Sequence, residues 1–143
     1  MKRSRIRQVS SKRRKIMNEV RPLRESLIRE SGRCMACSVS MSHASLSCHE
    51  ILNGSLREKT LGEPCSLLVL CWDCNSNKMT DKSLWPVARQ LALLQEISPE
   101  HYDLKRFNWL RNPNAPNYIT QEEVDEYRGQ FEPKRKQNRM GDR

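Results

Sequence analysis

The sequence predicts an α+β fold in which a small cysteine-bearing core lies between a long N-terminal helix and a set of C-terminal helices. Three observations predict it. Two C-x2-C turns, Cys34-Met35-Ala36-Cys37 and Cys71-Trp72-Asp73-Cys74, stand 33 residues apart. Between them lie short runs of strand character, while both flanks carry apolar residues at helical spacing.

The elements follow in order. Ser10 or Ser11 can cap a helix running to about Glu30, on which Ile16, Val20, Leu23 and Leu27 form one apolar stripe. Pro22 should kink or split that helix near Arg21, and Ser31-Gly32 should end it. Leu67 to Leu70 reads as a buried strand and Ser45 to Ile51 as a second one. Ser83 is a good N-cap for a helix through Val87 to Leu94, with Pro86 tolerated in its first turn, and Ser98-Pro99 breaks it. A short helix covers Asp103 to Leu110, and Thr120 with Glu123 makes a capping box for a last helix to about Arg128. Trp85, Trp109 and Leu91 to Leu94 read as packing of these helices on the centre. The chain then divides into a basic disordered arm (1–15), a basic amphipathic helix (16–32), the cysteine core with its following helix (33–97), a helical extension (98–132) and a basic disordered tail (133–143).

Composition narrows the function classes. The 143 residues carry 26 lysines and arginines against 17 acids, a formal charge of +9. Only 36% are hydrophobic and the mean hydropathy is −0.82, so a large apolar core is not expected. No apolar run approaches the ~18 residues of a membrane span, and MKRSRIRQVSSKRRK has no apolar segment of the secretory type. The expectation is a reducing, cytoplasmic setting without a membrane partner, in which six cysteines are metal ligands or free thiols rather than disulfides. Eight basic residues and no acid fall in the first fifteen positions, and the arm's Arg3, Arg5, Arg7, Lys12, Arg13, Arg14 and Lys15 are candidate contacts to nucleic acid.

A C-x2-C turn aims two sulfurs at one point, and two such turns supply the four tetrahedral ligands that Zn2+ prefers. Cys34, Cys37, Cys71 and Cys74 are therefore expected to form a structural zinc site whose binding adds folding energy to a small polar segment. Cys48 and Cys65 are left over and read as small buried apolar residues. His43 and His101 read as ordinary loop and helix-flanking histidines. Trp72, inside a knuckle, reads as packing, with stacking on a nucleic-acid base as the alternative.

The insert contains His49-Glu50 at the end of the first strand, a minimal kit for metal-assisted hydrolysis: one group binds an ion and the other takes a proton from water. Asn75, after Cys74, can offer a carbonyl oxygen to the same ion. The order of parts, C-x2-C, then HEILNGSLR, then PCSLLVLCWDCN, resembles the zinc-containing branch of the HNH nucleases of phages and mobile elements, which share the ββα-metal (His-Me finger) fold. The resemblance covers about Cys34 to Tyr127. It implies a DNA endonuclease using Mg2+ or Mn2+ beside the structural Zn2+, with His49 at the family's first-strand histidine and Asn75 where many members have a final metal-binding histidine.

Two registers stay open under that resemblance. If Ile51 marks the family's hydrophobic position, His49 is the metal ligand and Glu50 stands in for the general base. If His49 is itself the base, Cys48 occupies the ligand place, a soft donor poorly suited to Mg2+. The family's middle asparagine, which orients the histidine, has no counterpart: Asn53 is too near, and no asparagine lies between Gly54 and Cys74. Arg57 is a candidate contact to phosphate or to the leaving oxygen. The alternative functions are a zinc-stapled nucleic-acid-binding module that has lost the chemistry, and a zinc-built adaptor for proteins.

Overall fold

The computed structural model describes residues 10–52, 57–111 and 118–130. Arg3, Arg5, Arg7, Asn53 and the tail over 133–143 lie outside the described residues, as does the side chain of Arg57. The architecture is α+β, as expected. A two-stranded antiparallel sheet is contacted by the N-terminal helix and by the helix Val87–Ile97 that follows the second knuckle, with the last helix packed on the latter.

Helix α1 spans Ser11–Ser31. The Ser10 hydroxyl accepts from the Arg13 N–H at 3.2 Å, satisfying one of the first turn's orphan donors. At the other end Gly32 adopts φ +60°, which costs glycine nothing, and its N–H donates to the Ile28 carbonyl at 2.9 Å. Two expectations change here. Because Ser10 caps the helix, Lys12, Arg13, Arg14 and Lys15 lie on α1 rather than in an arm. Pro22 does not split α1: it removes one N–H, and packing of Leu27 and Arg24 against the sheet offsets that loss. Of the apolar stripe only Leu27 is buried and Leu23 is exposed, since Arg24 turns inward in its stead.

Strand β1, Leu46–Glu50, pairs antiparallel with β2, Leu67–Cys71, in a register that sets His49 opposite Leu68 and Leu46 opposite Cys71. Every residue of β2 is buried, as a continuous apolar run between two covered faces requires. Side chains alternate along β1, so Cys48 and Glu50 face α1 and His49 faces away from it. The connection contains a short helix α2, Arg57–Thr60, and a 3-10 turn, Pro64–Ser66. It passes under α1 so closely that a Cβ on Gly62 would lie 2.8 Å from Val20 Cγ1.

Helix α3, Val87–Ile97, buries Leu91, Ala92, Leu93 and Leu94. Pro86, not Ser83, is its N-cap residue. Ser83 is held instead by the Asp81 carboxylate, which accepts from its N–H at 3.0 Å, and the turn this makes delays the helix by three residues. Helix α4, Leu104–Arg111, packs through Phe107 and Leu110. Helix α5, Gln121–Asp125, carries the capping box foreseen: Thr120 and Glu123 exchange two hydrogen bonds of 3.2 Å. It ends sooner than foreseen, passing into turns at Glu126.

Candidate metal centre and adjoining site

The first knuckle leaves α1 through Gly32 and turns back on itself. The Cys34 N–H donates to the Val39 carbonyl at 2.9 Å, the Ser38 N–H to the Cys34 carbonyl at 2.8 Å, and Ser38 takes a left-handed φ of 67°. The Met35 N–H donates to the Val69 carbonyl at 2.9 Å, which docks this knuckle on the free edge of β2. The second knuckle is the end of β2 itself, since Cys71 is the strand's last residue and Cys74 opens a π-helical turn, Cys74–Lys78.

Together they bring one sulfur each from Cys34, Cys37, Cys71 and Cys74 within 4.8 Å of one another. Sulfurs at about 2.3 Å from a tetrahedral zinc are about 3.8 Å apart, and the Cys37–Cys71 separation is 3.7 Å. The four residues can therefore hold a metal ion such as zinc. Electrostatics point the same way. Burial, then the neighbouring Cys34 sulfur, pushes the Cys74 thiol well above its usual range. Burial also raises Cys37, against a hydrogen bond from Val39. Burial acts upward on Cys71 too, but hydrogen bonds from the Cys74 backbone and from the other sulfurs outweigh it and hold that thiol below the usual range. One thiolate is thus accommodated by its neighbours, whereas four need a cation.

The remaining cysteines are apart from this cluster. Cys48 and Cys65 are buried, and burial raises both thiols, Cys65 to about 11. Both behave as small core residues.

The chain leaving Cys74 places Asn75 beside the sheet. His49 Nδ1 is 3.0 Å from Asn75 Oδ1, and His49 Nε2 is 3.0 Å from Gln90 Oε1 on α3. Glu50, one residue on, faces the opposite side. Its carboxylate accepts from Arg24 Nη1 at 3.2 Å, and Arg24 Nη2 donates to the Cys48 carbonyl at 3.0 Å. The two side chains retain only 15% and 12% of their exposure. Strand alternation thus separates His49 from Glu50, and it also turns Cys48 toward α1, where its thiol lies 3.7 Å from the Arg24 carbonyl.

Sequence reasoning missed two residues of this site, Arg24 and Gln90. Each carried a signal: Arg24 is a basic residue within an apolar helical stripe, and Gln90 is a neutral amide within the run Val87 to Leu94. The tryptophans also depart from expectation. Trp85 is half-buried against the core with the Arg89 guanidinium 3.9 Å above its ring, but Trp109 is 55% exposed beneath Arg106 and Trp72 is 71% exposed. Trp72 follows the last strand residue, where the knuckle turns its side chain away from the core that takes Cys71. His101 pairs with Glu30 at 3.3 Å, and His43 lies exposed in its turn.

No described helix is long and apolar enough to cross a membrane. Compared with known proteins, the chain matches no family model, and no curated protein or solved structure matches it.

Proposed function

We propose that this protein is a metal-dependent endonuclease of the HNH type that hydrolyses phosphodiester bonds in DNA around a core stapled by a four-cysteine zinc. The observation that carries the reading is the 3.0 Å approach of His49 Nδ1 to Asn75 Oδ1, made by a strand end and the turn that follows a metal knuckle. Neighbouring ligands of an octahedral Mg2+ at about 2.1 Å are about 3.0 Å apart, so these two atoms suit adjacent positions on one ion. Such an ion would activate a bound water and stabilise charge on the leaving 3′-oxygen.

The rest of the chain's part is binding and orientation. His49 and Asn75 present neutral donors, so the charge that completes the site comes from the substrate phosphate. Lys12, Arg14, Lys15, Arg21 and Arg29 are exposed on α1 and supply contacts to the phosphate backbone without reading sequence. Glu50 is not the base in this scheme, because its carboxylate is engaged by Arg24 on the far face of the sheet.

That same engagement favours a second reading, a nucleic-acid-binding protein that keeps the fold without the chemistry, since the carboxylate next to His49 in sequence is turned away from it. Supercoiled-plasmid nicking with and without added Mg2+ or Mn2+ separates the two. Metal-dependent nicking that is lost in His49→Ala and in Asn75→Ala, with DNA affinity retained, supports the nuclease. A salt-sensitive gel shift without nicking supports the binding protein, and the absence of both refutes each reading.

A further inference from the structure

His49 is held at both ring nitrogens, and the partner of Nε2 is a group whose orientation its own surroundings determine. Gln90 is 2% exposed, on the first turn of α3. Its Nε2 donates to the Trp85 carbonyl at 2.9 Å. A carbonyl only accepts, so the amide nitrogen must face Trp85 and the amide oxygen must face His49. The Trp85 segment is itself braced: the Arg89 guanidinium lies 3.9 Å over the indole and donates to the Leu84 carbonyl at 2.6 Å. An amide oxygen 3.0 Å from His49 Nε2 also only accepts, so the hydrogen between them belongs to the imidazole.

From this arrangement we infer that Gln90 is a positioning residue that locks His49 as its Nε2–H tautomer and thereby presents the Nδ1 lone pair toward Asn75. The lock follows from the hydrogen-bond chain alone, and its use in phosphodiester hydrolysis rests on the function proposed above. A histidine that must offer one nitrogen to an ion or a proton is commonly held by an acceptor at the other. Here that acceptor comes from a helix 41 residues further along the chain. With Nδ1 unprotonated, two lone-pair atoms face each other across 3.0 Å. A half-turn of the Asn75 amide relieves this by letting its NH2 group donate to Nδ1. A bound cation relieves it with the oxygen in place.

The test is the ring 15N spectrum of His49 in the full-length, zinc-loaded protein at about pH 8.5, where an ordinary imidazole is neutral. The His49 signals are identified by their loss in His49→Ala. Expected in the wild type are a pyrrole-type Nε2, a pyridine-type Nδ1 and an Nε2–H proton protected from exchange with water. Gln90→Leu should lose that protected proton while keeping one zinc per chain, and Gln90→Glu, which retains an acceptor, should restore it. An Nδ1–H ring in the wild type overturns the inference, as does a protected Nε2–H that persists in Gln90→Leu. Should the leucine variant fail to fold, the wild-type tautomer decides alone. Absence of plasmid nicking would remove the proposed use of the lock and leave this result unaffected.

Discussion

Arg24→Met removes the guanidinium beneath the sheet while keeping most of the side chain's apolar volume. In the wild type that group donates to Glu50 Oε1 at 3.2 Å, to the Cys48 carbonyl at 3.0 Å and, more weakly, to the Leu61 carbonyl at 3.4 Å. Breaking a buried pair from one side costs about 3–5 kcal/mol, because a desolvated charge loses its counterion. Arg24 and Glu50 retain 15% and 12% of their exposure, which places the cost near the lower limit, about 3 kcal/mol. With a urea dependence of about 1.5 kcal/mol/M, the unfolding midpoint should fall by about 2 M. The assay is equilibrium urea unfolding with zinc in excess, so that metal loss does not add a second transition. Arg24→Met combined with Glu50→Leu should recover more than half of the loss, since removing both charges leaves apolar groups where an uncompensated carboxylate stood. A loss below about 1 kcal/mol in the single variant would show the pair to be solvated like a surface ion pair, and would refute the assignment of Glu50 to structure.

Cys34→Ser or Cys74→Ser should lower bound zinc from one per chain to none and unfold the core, measured by metal analysis and circular dichroism; a folded, zinc-free variant would contradict the metal site. Zinc affinity should fall as pH is lowered from about 8 to 6. The thiols of Cys37 and Cys74 are raised, so at least these two hold protons there that the metal must displace, giving a slope of two or more protons per zinc in a competition titration. Gly62→Ala should destabilise by about 1–3 kcal/mol through overpacking, since its Cβ would meet Val20 Cγ1 at 2.8 Å, and Val20→Ala should relieve it in the double variant. Replacing Lys12, Arg13, Arg14 and Lys15 by glutamine should weaken binding to all DNA sequences alike and flatten the salt slope by about one for each phosphate no longer neutralised; an unchanged slope would remove the N-terminal turns of α1 from the interface.

The features legible in the sequence are those that short-range chemistry decides. A serine before a helical run, a glycine after it and Thr120 with Glu123 satisfy the backbone groups of their own turn, and they do so here. The spacing within each C-x2-C turn aims two sulfurs together regardless of the intervening chain, which is why the four-cysteine cluster is readable without knowledge of the fold. Strand β2 is visible as an apolar run because both of its faces are covered.

What only the tertiary structure decided depends on partners brought from a distance. Glu50 is adjacent to His49 in sequence and looks like its chemical partner, yet strand alternation sends it to Arg24 on α1 while His49 meets Asn75 and Gln90. Pro22 is a helix breaker by local preference, and α1 continues because packing against the sheet outweighs the missing bond. Trp72 and Trp109 are exposed although their size favours burial. In each case a local preference of about 1–3 kcal/mol competes with interactions between segments tens of residues apart, and only the packed chain determines which of them meet.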